Sequence, residues 1–474
     1  MNARRVRTAQ CPLSRCSLRL LGYCAVVILL CRLGFAADRP NIVFMFCDDL
    51  RYDCLGCNGN DIIQTPNIDA LAARGVSFDN VFVTTAICVT SRANLMTGQY
   101  AARTGWRFGL MQGKPLSPQQ LAITYPGILK ESGYQIGYVG KYHLGVPPEN
   151  FFDYNAAYQG QGFYLNPELP DHLTAHMGTQ AEEALEQFAG NRDRPFLLTV
   201  GFKGPHVQDG EEPPFYPYDE QRTGHLYKDV VIPPPPLSDP EFFETQPEFI
   251  RSPKNLNRKR WEWRLGTSER FQQSVKGYYR VVSGVDLAVG RVVAKLKSLG
   301  LSENTIVLFS SEHGVYLGKR GLAGKWLAHE PSIRIPLIVA DPRLASSNGG
   351  ARRKQMALTI DIAPTLLDIA GVERADRMQG ESLVPIVRGE SPSSWRTEFF
   401  YDHLFRPDLI PSSEAVRTER WKYIRYLDRE PLFEELYDLD NDPLEVHNLA
   451  TSADSQGQLA KMRQKWRVWR EKAK

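Results

Sequence analysis

The segment Asn41-Ile-Val-Phe-Met-Phe-Cys-Asp-Asp49 is the most informative part of the sequence about the fold class. A short and almost continuous apolar run is typical of a strand that is buried on both faces, as in a parallel sheet. The run ends on two adjacent carboxylates, Asp48 and Asp49. We therefore expect a buried strand that delivers two acidic side chains to one edge of a sheet.

Helix-like and strand-like segments alternate after this strand. The strand-like runs cover residues 76–83, 135–139, 196–202, 304–309 and 335–340. The helix-like segments cover residues 67–74, 91–97, 121–132, 268–299 and 362–369. This alternation predicts an α/β protein with a largely buried sheet.

Two segments depart from the alternation. Residues 208–260, with Pro233-Pro-Pro-Pro236, predict a long excursion over the surface, and long loops of this kind often belong to substrate sites. After about residue 390, short aromatic strands precede a terminal helix from Gln456. We interpret this texture as a small α+β C-terminal domain.

Composition and charge exclude several classes of protein. The chain has 474 residues, of which 42% are hydrophobic and 23% charged, so it is neither disordered, collagenous nor a coiled coil. Its length favours two unequal domains. The net charge of +3 comes from six arginines in residues 1–37, a segment without acids. The rest of the chain is slightly acidic, which argues against a nucleic-acid binder.

Residues 1–37 have the order of a secretory signal peptide: a basic start, an apolar stretch from Leu20 to Leu30 and small residues at 36 and 37. A membrane anchor is the rival interpretation, but Arg32 interrupts the apolar run before the roughly 20 residues that a spanning helix needs. Four of the eight cysteines lie in this leader. The four that remain are too few to build a disulfide scaffold. For Cys54 and Cys57, loop packing or one local disulfide is favoured over zinc.

Acidic residues follow two distant strands, as Asp48-Asp49 and as Glu312-His313. In open α/β sheets, sites lie at the carboxyl ends of strands. Adjacent carboxylates repel each other, and an oxygen-rich ligand set favours Ca²⁺ or Mg²⁺ over zinc. For Asp48 and Asp49 alone, a solvated turn explains the pattern equally well.

Three glycine-bounded segments carry further polar side chains. Lys141 and His143 lie in Gly140-Lys-Tyr-His-Leu-Gly145, His206 follows Gly204-Pro205, and Lys325 lies in Gly324-Lys-Trp326. Each one alone is most simply a solvated loop residue. Their occurrence near strand ends of one α/β chain indicates a shared catalytic site.

The segment Cys88-Val-Thr-Ser-Arg92, followed by Thr97-Gly98, resembles the active-site signature of the type I sulfatases of the alkaline phosphatase superfamily. In that family, Cys-x-Pro-Ser-Arg marks a cysteine that is oxidised to Cα-formylglycine. The resemblance extends over essentially the whole mature chain. Later matches are His329-Glu330, Arg334-Ile-Pro336, Trp421-Lys-Tyr-Ile424, Glu435-Leu-Tyr-Asp438 and Asp442-Pro443.

The resemblance implies a fold and a domain division. The expected fold is a large mixed central sheet flanked by helices, with a smaller C-terminal α+β domain that contains an antiparallel sheet. The corresponding boundaries are residues 1–37 for the signal peptide, 38–390 for the catalytic sulfatase domain and 391–474 for the C-terminal subdomain.

The resemblance also implies a mechanism. A formylglycine-generating enzyme or a radical maturase would convert Cys88. One hydroxyl of the hydrated aldehyde would attack sulfur, and the other would collapse to the aldehyde and expel sulfate. The helix that begins just after Cys88 would place its positive end near the developing charge.

The family roles carry over residue by residue. The implied metal ligands are Asp48, Asp49, Glu312, His313 and the oxygen at Cys88. Arg92 would orient the modified side chain, while Lys141 and Lys325 would bind sulfate oxygens. His143 would take a proton from the formylglycine hydroxyl, and His206 with Lys325 would protonate the departing alkoxide.

Two positions depart from the family pattern. Thr90 replaces the proline that the maturation machinery reads, and Glu312 replaces the usual third aspartate. The longer glutamate suits a flexible Ca²⁺ site better than a strictly octahedral Mg²⁺ site. If Cys88 stays a thiol, the alternative is an unmodified, noncatalytic glycan-binding protein.

The substrate implied by the resemblance is a sulfated oligosaccharide or polysaccharide, as for the N-acetylglucosamine-6-sulfatase and iduronate-2-sulfatase-like groups. Candidates for sugar recognition, each with packing as the simpler role, are Trp106, Arg107, His329, Arg334 and His403. The enzymatic alternative is hydrolysis of phosphomonoesters or phosphonates on the same scaffold. Export would lead to a periplasm, the extracellular space or, in a eukaryote, a lysosome, and we favour a bacterial envelope. No later segment is apolar enough to span a membrane.

Overall fold

The apolar run at the start of the mature chain forms strand β1, Asn41–Cys47, and all seven of its residues are buried. The computed structural model describes residues 39–109, 113–344 and 348–474. The predicted leader, residues 1–37, lies outside these ranges. Residues Asn41–Lys474 form one compact unit.

Three sheets contain all strands of the described residues. After β1 these are β2 (Val76–Phe78), β3 (Val81–Phe82), β4 (Gln135–Lys141), β5 (Tyr154–Tyr158), β6 (Phe196–Gly201), β7 (Thr305–Ser311), β8 (Leu337–Ala340), β9 (Ala351–Arg353), β10 (Ala357–Leu358), β11 (Glu398–His403), β12 (Ser413–Thr418), β13 (Trp421–Tyr426) and β14 (Phe433–Asp438). The central sheet has eight strands in the order β5-β4-β6-β1-β7-β8-β2-β9.

Five neighbouring strands of the central sheet, from β5 to β7, run parallel. Strand β8 pairs antiparallel with both β7 and β2, so the sheet is mixed. The carboxyl ends of β4, β6, β1 and β7 therefore meet at one edge. The predicted α/β fold with a large mixed central sheet is confirmed.

Helices cover both faces of this sheet. In chain order, the α-helices of the described residues are α1 (Pro66–Arg74), α2 (Cys88–Thr97), α3 (Ala101–Thr104), α4 (Pro118–Leu121), α5 (Tyr125–Glu131), α6 (Leu173–Ala189), α7 (Glu220–Thr223), α8 (Pro240–Glu244), α9 (Glu248–Arg251), α10 (Leu256–Leu265), α11 (Ser268–Ser298), α12 (Glu330–Ile333), α13 (Ile362–Ile369), α14 (Val384–Val387) and α15 (Gln456–Lys472). Alternate residues of β1 point to opposite faces: Val43 and Met45 join one apolar core, and Phe44 and Phe46 join the other.

Some elements differ from the sequence-based expectation. The helix expected at 121–132 is split into α4 and α5, because Pro126 lies at the start of α5 and the Thr124 side chain caps it. The strand expected at 76–83 is divided into β2 and β3. The surface excursion contains the four short helices α7 to α10. In α11, Leu287 is 39% exposed instead of buried.

The C-terminal sheet has four antiparallel strands in the order β11-β12-β13-β14, and α15 packs against it. The predicted antiparallel C-terminal domain is thus confirmed. The boundary between residues 390 and 391 stays a prediction, because one apolar core includes both Phe44 of β1 and Phe399 of the C-terminal sheet. Among the described residues, every helix is too short or too polar to cross a bilayer.

Candidate functional site

Two of the predicted acidic pairs lie side by side at the carboxyl edge of the central sheet. Asp48 and Asp49 follow β1, and Glu312 and His313 follow the adjacent strand β7. The hydroxyl of Ser311 ties the two strand ends together, because it donates to backbone carbonyls and accepts from the Leu50 amide at 3.1 Å. The two strand ends that the sequence predicts to share a site are therefore adjacent in the sheet.

The four side chains form a compact cluster with free ligand capacity. His313 Nδ1 lies 3.2 Å from Asp49 Oδ1, and His313 Nε2 lies 3.1 Å from Glu312 Oε1 and 3.7 Å from Asp48 Oδ1. Within the described residues, Asp48 Oδ1, both Glu312 oxygens and His313 Nε2 are buried without a hydrogen-bond partner. Buried carboxylate oxygens of this kind fit a hard divalent cation, with the imidazole as an added ligand.

Two lysines contact the acidic cluster. Lys141, the last residue of β4, forms an ion pair with Asp48 and donates to Gln161 Oε1 at 2.6 Å. Lys325 Nζ lies 2.9 Å from Asp49 Oδ1. Burial opposes the charge of Lys325, but Asp49 and Asp48 raise its pKa above the usual range. The Lys325 ammonium is thus held charged beside the cluster.

Gly140 allows Lys141 to reach this position. Its φ of +92° lies in the left-handed region, and a Cβ there would meet the Gly201 carbonyl oxygen at 2.5 Å. Asp49, His143 and Trp326 also have positive φ, at 66°, 57° and 82°. Such strained backbone in non-glycine residues is concentrated at functional sites.

Arg92 connects the acids to the lysine strand. Its guanidinium forms an ion pair with Glu312, donates to the Lys141 carbonyl and lies 3.9 Å from Asp48 Oδ2. The guanidinium also lies 4.8 Å from the centre of the Phe46 ring. Arg92 therefore connects the acidic cluster with the end of β4.

Cys88 is the first residue of α2 and is only 3% exposed. Burial opposes ionisation of the thiol, but His143 and Lys141, with a hydrogen bond to His313, lower its pKa well below the usual value. Thr90, the third residue of α2, accepts a hydrogen bond from the Phe108 amide at 3.3 Å. The Phe108 ring in turn makes an edge contact with His143.

His206 lies in the loop after β6. Its Nδ1–H donates to the Val207 carbonyl at 2.7 Å, and its Nε2 lies 3.7 Å from Asp49 Oδ2. Burial and Lys325 lower the pKa of His206 to about 3, although Asp48 acts in the opposite direction. The ring is therefore neutral in the free protein and turns Nε2 towards the acids. Ligand atoms of His206, Asp48 and Asp49 also lie within 4.8 Å of one another.

Comparison with known proteins identifies the family. A sequence model of the sulfatase family matches residues 40–372, most of the chain. The chain belongs to the sulfatase family. A second match, to the C-terminal region of N-sulphoglucosamine sulphohydrolase, covers residues 318–472 of this sulfatase. The predicted family membership is confirmed, and the protein is a sulfuric ester hydrolase.

Individual relatives span nearly the whole chain. An N-acetylglucosamine-6-O-sulfatase of Bacteroides thetaiotaomicron is 28% identical, over 88% of this sulfatase and 83% of the relative. A solved structure in complex with its substrate D-glucosamine-2-N,6-O-disulfate has a TM-score of 0.77 at 24% identity, with 92% and 98% coverage. The phosphonate monoester hydrolase of Agrobacterium radiobacter has a TM-score of 0.70 at 21% identity, with 92% and 96% coverage. The last two likenesses establish a shared fold.

Three residues of the site went undetected in the sequence. Gln161 binds Lys141, the Tyr278 hydroxyl donates to the Asp49 carbonyl at 2.7 Å, and Asn257 donates to the Lys325 carbonyl at 2.9 Å. Two of these contacts are with backbone atoms, which leave no pattern in the sequence. For Tyr278, the apolar residues that follow it in the predicted helix 268–299 indicate a buried position, where a tyrosine hydroxyl needs a hydrogen-bond partner.

The candidates for sugar recognition have partners inside this sulfatase. They are Trp106, Arg107, His329, Arg334 and His403. His329 lies between the Tyr316 hydroxyl and the Glu435 carboxylate, at 2.7 and 3.1 Å. Arg107 pairs with Asp402 at 2.8 Å. These contacts favour the packing role that the sequence already offered as the alternative.

Proposed function

We propose that this sulfatase removes sulfate from a sulfated carbohydrate, with residue 88 as the nucleophile after conversion of Cys88 to Cα-formylglycine. The observation that carries the proposal is the position of Cys88 at the start of α2, beside Lys141 and His143 and against the acidic cluster. The hydrated aldehyde supplies one hydroxyl that attacks sulfur and a second whose collapse releases sulfate. The net reaction consumes water and yields an alcohol and sulfate.

The acidic cluster is the proposed cation site. The ligands are Asp48, Asp49, Glu312, His313 and the oxygen at residue 88. We propose Ca²⁺, because the extra methylene of Glu312 suits its flexible coordination, with Mg²⁺ as the alternative. The cation would supply positive charge that favours deprotonation of the nucleophile and offsets the charge of the ester.

Lys141 and Lys325 are proposed to bind the sulfate oxygens. Both are buried, and each already pairs with an aspartate of the cluster. A compact ammonium suits the spread charge of a sulfate group, and burial strengthens the attraction. Arg92 is proposed as a positioning residue, since it holds Glu312 and the Lys141 carbonyl in place.

Two histidines are proposed to move protons. His143 is largely buried and burial lowers its pKa, so the neutral ring can accept a proton from the hydroxyl at residue 88. His206 is neutral in the free protein, but the negative charge of a bound sulfate ester favours its protonated form. With Lys325, it would then protonate the departing alkoxide, which is a poor leaving group as an anion.

The substrate class follows from the relatives. The N-acetylglucosamine-6-O-sulfatase and the disulfated glucosamine complex favour a sulfated amino sugar. The proposed partners are therefore a sulfated oligosaccharide or polysaccharide and the maturase that converts Cys88. We further propose export directed by residues 1–37, with catalytic residues in 38–390 and a supporting subdomain in 391–474.

Two measurements test the proposal. Intact-mass analysis of the peptide around Cys88 should show a product about 18 Da lighter than the thiol form. Sulfate release from a panel of sulfated monosaccharides should be lost in Cys88→Ala, whereas a phosphonate monoester in the same panel tests the alternative activity. Equal turnover by Cys88→Ala would contradict the nucleophile assignment, and an unmodified thiol without turnover would favour a noncatalytic glycan-binding protein.

A further inference from the structure

Helix α10 is fixed against the loop that carries Lys325. The Asn257 side chain donates to the Lys325 carbonyl at 2.9 Å, and the Asn257 carbonyl accepts from the Ala323 amide at 3.2 Å. Asn257 is itself fully buried. The position of α10 is therefore coupled to the catalytic site, although the sequence suggested only a surface excursion here.

Two arginines lie on one face of α10, one helical turn apart. The Arg260 guanidinium lies 5.0 Å from the centre of the Trp326 ring. Trp326 belongs to a small apolar cluster that also contains Cys88. Arg260 thus contacts an aromatic ring that belongs to the same apolar cluster as the nucleophile position.

These two arginines share one acidic partner. Asp209 Oδ1 lies 3.5 Å from Arg260 and 3.7 Å from Arg264, and the Asp209 side chain is 48% exposed. The Arg264 side chain is only 3% exposed, and its Nε has no hydrogen-bond partner among the described residues. A buried cation is costly unless it is paired and hydrogen-bonded. The pair therefore keeps positive charge that Asp209 does not neutralise.

The arginines lie on the leaving-group side of the site. Asp209 follows His206 by three positions in the chain, and Trp326 follows Lys325 directly. His206 and Lys325 are the groups proposed to protonate the departing alcohol. With His206 and Lys325 in their proposed roles, the sugar that carries the ester would extend past these two groups, towards α10.

We propose that Arg260 and Arg264 form a subsite for a second anionic group of the substrate, a sulfate on the sugar whose ester is cleaved or a carboxylate on the sugar linked to it. This inference rests on the proposed function. Guanidinium groups match both anions through paired N–H donors. Asp209 orients the guanidinium groups before the substrate arrives, and the anion completes their neutralisation.

The test compares matched substrates in the calcium-loaded, full-length protein. N-acetylglucosamine 6-sulfate has one anionic group, glucosamine N,6-disulfate adds a second sulfate, and a 6-sulfated N-acetylglucosamine linked to glucuronic acid adds a carboxylate. Arg264→Gln should lower the ratio of kcat/KM for a doubly anionic over the singly anionic substrate by about ten- to a hundredfold. The substrate that shows the loss identifies the second anion. Arg260→Gln, at a less buried position, repeats the test should Arg264→Gln fail to fold.

Lys259→Gln is the matched control, because Lys259 is exposed on the same helix and the change removes the same charge. Its ratio should remain that of the wild type. An unchanged ratio in Arg264→Gln and Arg260→Gln, or an equal fall in Lys259→Gln, would overturn the subsite.

Binding separates this inference from the proposed function. Calorimetry with the Cys88→Ala protein measures affinity for the same three sugars without turnover. The double variant with Cys88→Ala and Arg264→Gln should bind a doubly anionic sugar more weakly than Cys88→Ala does, with its affinity for the singly anionic sugar unchanged. This result supports the subsite even if the wild type releases no sulfate. Equal affinities for all three sugars would contradict the subsite while leaving sulfatase activity intact.

Discussion

Removal of the Lys422 ammonium should destabilise the protein by about 3–5 kcal/mol. Lys422, in β13, is completely buried, and its Nζ lies 2.6 Å from Glu445 Oε1 and 2.8 Å from Glu330 Oε1. Glu330 begins α12 in the catalytic part, whereas Lys422 belongs to the C-terminal sheet. One buried ion cluster therefore joins the two.

The expected cost arises from the acids that Lys422→Met leaves behind. Glu330 keeps a second partner, because Arg417 lies 3.2 Å from its Oε1. Glu445 is almost fully buried, and among the described residues its carboxylate keeps only the Glu330 amide, which donates to its Oε2 at 2.9 Å. An uncompensated buried carboxylate accounts for the upper part of the range. The added change Glu445→Gln should therefore restore part of the lost stability.

Guanidinium unfolding of the wild type, Lys422→Met and the double variant with Glu445→Gln measures these differences. Arg463→Met is the matched control, because it breaks an ion pair with Glu434 of the same sheet in which the arginine side chain is 39% exposed. That pair should contribute less than about 1 kcal/mol. If Lys422→Met costs no more than Arg463→Met, the buried cluster is not a stabilising joint and this reasoning is wrong.

Three further outcomes are expected. His206→Asn should slow hydrolysis of sugar sulfates far more than that of p-nitrophenyl sulfate, whose leaving group needs no proton; equal losses would contradict a role in leaving-group protonation. Burial lowers the pKa of His403 to about 4, so below about pH 6.5 the unfolded chain binds a proton that the folded chain does not bind. The free energy of unfolding therefore falls as the pH falls from about 6.5 to about 4. Unfolding titrations at pH 7 and 4.5 should show that His403→Gln removes up to about 3 kcal/mol of this loss. Ca²⁺ at a hundred times its dissociation constant should stabilise the protein by about 2.7 kcal/mol in thermal unfolding, and Glu312→Gln should weaken this response, whereas no response in the wild type would contradict the proposed cation site.

The sequence predicted the central sheet well because burial on both faces leaves a strong signal. The run 41–46 has no polar residue after Asn41, and the acids at its end are adjacent in the chain. The structure places β7 directly beside β1, so Glu312 and His313 arrive at the same edge. Strand character and strand-end position were enough to anticipate that cluster.

Contacts that depend on tertiary structure were beyond the sequence. Asn257 binds a backbone carbonyl in a loop far along the chain, and its own segment has a strongly polar composition. The strand Phe433–Asp438 was recognised only as a motif, because two adjacent glutamates interrupt its apolar alternation. The pairing of β14 with the more apolar β13 determines its structure.

The enclosure of Cys88 has a consequence for biosynthesis. The side chains that surround it include Trp326 and His313, which leave the ribosome long after Cys88. An oxidising maturase would find Cys88 accessible in the unfolded chain during translation and buried after folding. Under the proposed conversion of Cys88, the order of emergence would set a time window for aldehyde formation, and a chain that folds too early would keep its thiol.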